Sequence, residues 1–215
     1  MAEQMDSNKV TRWWWVRHAP VVDYGGRIYG QRDVPCDTSD EDSFRALAGL
    51  LPEGAVWVTS HLQRAKATAA TIRAAGLVAP EPLEEVDFAE QSFGDWEGST
   101  WDDIKTADGK VHEKFWHSPL ETPPPGGESF ADLIARVAAV IDRLNDTHRG
   151  RDIVAVTHGG TIRAAVALAL ALPPEHAIAV RIDNLSLTRL DHVPERILQG
   201  LGGVWRVNVL NRPPR

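Results

Sequence analysis

WWWVRHAP, residues 13–20, joins three consecutive tryptophans and a valine to an arginine-histidine pair. Large apolar side chains at successive positions need cover above and below a sheet, so Trp13, Trp14, Trp15 and Val16 read as a strand buried on both faces. Arg17 and His18 at its end are costly in such a place unless their charge and hydrogen bonds are used. That junction is the first place to look for chemistry.

Working outward, two further apolar strands end in the same way. AVWVT, residues 55–59, runs into Ser60 and His61, with Arg64 one helical turn later; IVAVT, residues 153–157, runs into His158, Gly159 and Gly160. The coarse pattern is strand 12–16, a loop to Thr38, helix 40–50, strand 55–59, helix 62–75 and an extended piece around 84–88. A polar-aromatic excursion, 90–120, is followed by helix 128–145, strand 152–157, helix 161–170 and extended segments near 179–190 and 204–210. Apolar strands alternating with amphipathic helices predict a largely parallel sheet covered on both faces. In such sheets ligands bind at the carboxyl ends of the strands, and here three strand ends bring Arg17, His18, Arg64 and His158 to one edge.

Composition sets the class. The 215 residues, 43% hydrophobic and 25% charged, suit one α/β domain spanning 1–215. A net charge of −7 without clustered Lys and Arg argues against a nucleic-acid partner. The first ten residues lack the basic start and apolar run of a secretory signal, and the most apolar stretch, 164–172, is too short to span a bilayer. Cys36 is the only cysteine, which excludes an internal disulfide and fits a reducing compartment, so cytoplasm is expected and the sequons at Asn145 and Asn184 read as chance matches. ETPPPGGES, residues 121–129, reads as an ordered connector into the long helix that follows.

Two guanidiniums and two imidazoles around one point suit a doubly charged tetrahedral anion, because arginine forks match phosphate oxygens and stay charged. Gly159 and Gly160, where a helix begins, can add backbone N–H groups at close approach. A neutral imidazole can attack phosphorus, and His18, beside Arg17 on the strand, is the expected nucleophile; His158 is expected to donate to the transferring oxygens. The leaving alcohol still needs a proton, which a carboxylic acid near the mouth would supply.

VRHAP, TSHLQRAKATA, EQSFGDWEG, PPPGGESFADLIARV and VTHGGTIRA occur here in the order seen in the histidine phosphatase superfamily, and the chain resembles its phosphoglycerate mutase-like branch over about residues 12–190. The resemblance implies a three-layer α/β/α sandwich with a mostly parallel central sheet and a transient phosphohistidine at His18. It also implies phosphate contacts from Arg17, Arg64 and His158, and an acid/base at Glu90. Glu84, Glu85, Asp87, Asp95 and Glu97 lie close by as alternative acids, and Glu97 also suits a loop-bracing role. RIYGQRDVPCD aligns with the family's substrate loop and offers Tyr29 and Gly30 as contacts. Where many members carry Gly, then Thr or Ser, then Asn after the Arg-His pair, this chain has Ala19, Pro20, Val21, Val22, Asp23 and Tyr24, so its phosphate should be supported differently.

The resemblance further implies a metal-independent, cofactor-free phosphomonoester hydrolase acting on a small phosphorylated metabolite, with α-ribazole-5′-phosphate one such substrate. A phosphoglycerate mutase and a catalytically inactive phospho-ligand binding module are the alternatives. His112 and His117, five apart, do not align as metal ligands on a helix. The 90–120 excursion would act as a lid-like cover, with Trp101, Phe115, Trp116 and His117 either walling the pocket or packing the excursion down. A homodimer is compatible with the fold, and no membrane partner is expected.

Overall fold

The computed structural model describes residues 10–22, 24–118, 121–194 and 204–215. In chain order its elements are β1 (Thr11–Arg17), α1 (Glu41–Leu50), β2 (Val56–Thr59), α2 (Gln63–Ala74), β3 (Leu83–Glu84), α3 (Trp101–Ala107) and α4 (Gly109–His117). They continue with α5 (Phe130–Thr147), β4 (Asp152–Thr157), α6 (Gly159–Leu170), α7 (Pro174–Ile178), β5 (Leu187–His192) and β6 (Trp205–Arg212). The readings of residues 1–9, and of 119–120 at the end of the excursion, lie outside the described residues.

Period two along β1 turns Trp13 and Trp15 to one face of the sheet and Trp14 and Val16 to the other. Trp13 and Trp15 stack at 4.9 Å between ring centroids and pack with Phe88, α5 and α6 in one core. Val16 and Trp14 belong to a second core, with Phe44 and Leu47 of α1 and Ala69 and Ile72 of α2. Trp14 is only half-buried; its Nε1–H donates to Asp152 and the Arg189 guanidinium lies 4.5 Å from its ring. Two cores on opposite faces of one sheet make the three layers.

The strand order is β3-β2-β4-β1-β5-β6. The β1/β4, β4/β2 and β2/β3 pairs are parallel, whereas β5 runs antiparallel to β1 and β6 antiparallel to β5. Arg17 pairs with Thr157 and Thr59 with Val156, so β1, β2 and β4 end level with one another and set His18, Ser60 and His158 side by side.

Several boundaries differ from the sequence reading for identifiable reasons. Ser129 and Asp132 form a reciprocal capping box, which starts α5 at Phe130 and leaves Glu128 outside the helix to pair with Arg136. His158 is the N-terminal cap of α6, so that helix begins two residues before the expected Thr161. Segment 179–190 is extended only from Leu187, after α7 has begun at Pro174, a residue well suited to a first helical turn. The 90–120 excursion contains α3 and α4, capped by Thr100 and Asp108 and held by a small core of Ile28, Trp96, Ile104 and Phe115. Among the described residues no helix is long and apolar enough to cross a membrane.

Candidate active site

His18 follows the last residue of β1 and is fully buried. Its Nδ1 lies 2.7 Å from the Ala19 carbonyl, which fixes the proton on Nδ1, while Nε2 has no hydrogen-bond partner among the described residues. Burial, reinforced by the Arg64 and Arg17 charges, lowers its pKa from 6.5 to about 3. The imidazole is therefore neutral at ordinary pH and presents a free lone pair.

The same shift couples folding to pH. An unfolded chain protonates this ring near pH 6.5 and the folded chain only near pH 3, so stability is full above the first value and falls as pH drops between the two. At pH 5 the coupling amounts to ~2 kcal/mol. A His18→Asn variant should lose less stability than the parent on going from pH 7 to pH 5, by about that amount in urea-unfolding free energies.

Two guanidiniums, Arg17 and Arg64, flank the imidazoles, and a third, Arg163, lies near Arg17. Arg17 Nη1 donates to the Ile182 carbonyl at 2.7 Å, and its Nη2 lies 3.5 Å from the Tyr29 hydroxyl. Arg64, wholly buried in α2, donates to the Arg32 and Gly30 carbonyls at 2.8 and 2.6 Å, with its guanidinium 5.0 Å from the Tyr29 ring centroid. Arg163 of α6 donates to the Val180 carbonyl. A methyl group at Gly159 would lie 3.5 Å from Arg17 Nε and 3.6 Å from Arg163 Nη1, ordinary contact distances, so Gly159 marks where these two guanidiniums come close. Arg17 Nε and Arg64 Nε have no partner among the described residues.

His158 is also fully buried, its ring centroid 5.2 Å from that of His18. Burial and the neighbouring His18, Arg64 and Arg17 push its pKa well below the usual imidazole value. Ser60 Oγ lies 2.7 Å from Nε2 and accepts from the Leu62 N–H; with the tautomer assigned as Nδ1–H, the hydroxyl donates its hydrogen to Nε2. That leaves Nδ1–H of His158 as a donor with no partner among the described residues.

Glu90 sits on the loop between β3 and α3. Its Oε1 accepts from the Gly160 N–H at 2.9 Å and the Gln91 N–H at 3.0 Å, so the carboxylate is held through one oxygen at the start of α6. Arg136 fastens this loop by donating to the carbonyls of Asp87, Ala89 and Glu90, while Thr161 donates to those of Phe88 and Ala89. An added Cβ at Gly160 would run into Glu90 Oε1. Gly160→Ala is therefore expected to displace the carboxylate and lower kcat/KM on alkyl phosphates by about 100-fold, with a smaller effect on activated aryl esters.

Beyond Glu90 a cavity opens. Glu90, Gln91, Gly160 and Arg163 form one side; Phe93, Trp101, Phe115, Trp116, Phe130 and Ile178 form the rest. His117, grouped with these aromatics in the sequence reading, does not line it.

The structure brings His18, Arg17, Arg64, His158, Gly159 and Tyr29 together and puts Glu90 beside the N-terminus of α6. Gly30, expected as a substrate contact, gives its carbonyl to Arg64, and its φ of +44° with Glu97 packed against it leaves no room for a side chain. Glu97 braces the loop by accepting from the Gln31 and Phe93 N–H groups. Sequence reasoning missed Arg163, Ser60 and three supports: Asn184, which donates to the His18 carbonyl; Thr68, which accepts from the Ala19 N–H; and Arg136. The hydroxyl and amide absent from the first loop are thus partly replaced by Thr68 and Asn184, which hold backbone.

Parallel strands whose ends gather a buried neutral imidazole, a second imidazole and nearby guanidiniums form a site suited to a multiply charged anion. The chain belongs to branch 1 of the histidine phosphatase superfamily, whose family model matches residues 13–199. It is 34% identical to a 2,3-bisphosphoglycerate-dependent phosphoglycerate mutase of a Chelativorans species over 163 residues, 74% of this chain and 71% of the relative. A bifunctional protein of Mycobacterium tuberculosis is 33% identical over 151 residues, 70% of this chain. The chain spans about 40% of the length of the mycobacterial curated relatives that it matches. Among solved structures, a mycobacterial glucosyl-3-phosphoglycerate phosphatase superposes with a TM-score of 0.77 at 28% identity, covering 94% of this chain and 99% of the other.

Proposed function

We propose that this chain hydrolyses phosphate monoesters of small metabolites through a phosphohistidine at His18, without a metal ion. The observation that carries this reading is His18 Nε2: buried, neutral, without a hydrogen-bond partner among the described residues, and flanked by Arg17, Arg64 and His158. A phosphoryl group between the imidazoles and the guanidiniums would have its equatorial oxygens neutralised by Arg17, Arg64 and the His158 Nδ1–H. The Nε2 lone pair attacks phosphorus, the bond from phosphorus to the ester oxygen breaks, and the Glu90 carboxylic acid gives its proton to the departing alcohol. Water then attacks the phosphohistidine and gives a proton to the Glu90 carboxylate. The P–N bond breaks, and phosphate and neutral His18 are restored.

α-Ribazole-5′-phosphate is one substrate in this class, on the likeness in length and in the RIYGQRDVP loop. The test is phosphate release from a panel of phosphomonoesters with excess chelator and no bisphosphoglycerate. Chelator-resistant release supports the hydrolase. Phosphoryl exchange between phosphoglycerates that needs 2,3-bisphosphoglycerate and frees little phosphate would make the chain a mutase, and anion binding with no turnover would make it a binding module.

A further inference from the structure

The acid that protonates a leaving alcohol has to lie beside the ester oxygen, so the alcohol's body extends past Glu90, away from His18. Past Glu90 lies the cavity that Glu90 and Gly160 share with the aromatic residues of α3 and α4. We propose that this cavity receives the leaving alcohol and selects a flat, apolar one, an aryl or arylalkyl group carried within a few bonds of the ester oxygen. The inference rests on the phosphohistidine reading, which is what makes Glu90 the marker of the leaving oxygen.

The cavity wall supplies rings and few usable polar groups. Trp101 meets Phe93 edge-on at 6.0 Å, stacks against Phe115 at an interplanar angle of 26° and lies 5.2 Å from Trp116. Trp116 is 51% exposed, yet its Nε1–H donates to His112 Nε2 at 3.0 Å, which holds the ring in place. Ile178 of α7, 36% exposed, lines the same cavity. Exposed, oriented apolar surface of this kind beside a reacting group is what a ligand covers.

The charged and amide side chains that line the cavity are Glu90, Gln91 and Arg163, and each already makes a hydrogen bond. The Gln91 side-chain N–H donates to the Glu128 carbonyl, Arg163 Nε to the Val180 carbonyl, and Glu90 Oε1 is taken by two backbone N–H groups. A polyhydroxylated sugar placed here would lose water from its hydroxyls and recover few hydrogen bonds, whereas a flat ring loses little and buries apolar area.

The experiment compares kcat/KM for 2-(1-naphthyl)ethyl phosphate, n-butyl phosphate and glycerol 3-phosphate, three esters of primary alcohols. Their departing oxygens all need protonation, so they differ mainly in the body of the alcohol. The naphthyl ester should exceed n-butyl phosphate by about 30-fold, mostly through KM. Trp116→Ala should cut that ratio by about 10-fold, and Trp116→Phe should restore most of it. Because Trp116 is half exposed, the alanine variant leaves the small Trp96-Phe115 core in place.

A wild-type ratio near one, a preference for glycerol 3-phosphate, or a ratio indifferent to Trp116→Ala overturns the inference while leaving the hydrolase standing. Failure to release phosphate from any of the three overturns both.

Discussion

Replacing His18 by alanine is expected to lower kcat by about 100,000-fold or more and to abolish trapping of a phosphoenzyme. On the proposed reading His18 Nε2 is the nucleophilic atom: it has no hydrogen-bond partner among the described residues, and Nδ1–H is spent on the Ala19 carbonyl. Removing it takes away the covalent path itself, while Arg17, Arg64 and His158 remain to hold the anion. Binding of inorganic phosphate or vanadate should therefore persist in the variant, which separates loss of chemistry from loss of the site. The phosphoenzyme is looked for by rapid acid-free quenching with a labelled ester, since a phosphorus-nitrogen bond survives alkali and breaks in acid. His158→Ala should behave differently, still forming labelled enzyme but more slowly, because its Nδ1–H stabilises the transferring oxygens without bonding to phosphorus. Labelled enzyme of undiminished yield from the His18→Ala protein would move the nucleophile elsewhere and dismantle the reading.

That His18 can be singled out from the sequence follows from where strands end. A run of large apolar residues has to be interior, and the first polar residues after it necessarily stand at the sheet's edge; the level ends of β1, β2 and β4 turn three such positions into one pocket. β4 needed no adjustment for the same reason, its apolar run being bounded sharply by Asp152 and His158.

Glu90 was a different kind of problem. Six carboxylates lie between residues 84 and 97, and their spacing does not rank them; the family resemblance pointed to Glu90. In three dimensions Glu84 pairs with Lys66, Glu85 with Arg143, and Glu97 braces a loop, while Glu90 meets the start of α6. Arg163 escaped because it reads as an ordinary polar position on an apolar helix, and only the fold brings its guanidinium close to Arg17 beside Gly159. α3 and α4 escaped because they are short and draw their stability from the Trp96-Phe115 cluster, which local periodicity does not reveal.

Glu90→Gln should divide substrates by how much their leaving oxygen needs a proton. Glutamine matches glutamate in shape, and its carbonyl oxygen can still accept from the Gly160 and Gln91 N–H groups, so the loop held by Arg136 and Thr161 is retained. What it lacks is a proton to give. For an alkyl phosphate, whose alkoxide is a poor leaving group, kcat should fall by about 1,000-fold. For 4-nitrophenyl phosphate, whose phenolate departs unaided, formation of the phosphoenzyme should be nearly as fast as in the parent. The second step suffers with either substrate, because the attacking water has lost its base. The aryl ester should therefore give a burst of nitrophenolate close to one equivalent of enzyme, followed by slow turnover and accumulation of phosphoenzyme. With the alkyl ester no burst and no accumulation should appear, because the first step is then the slow one. Equal losses on the two esters, with no burst on either, would assign the proton transfers to another group and reduce Glu90 to an anchor for the helix that carries Arg163.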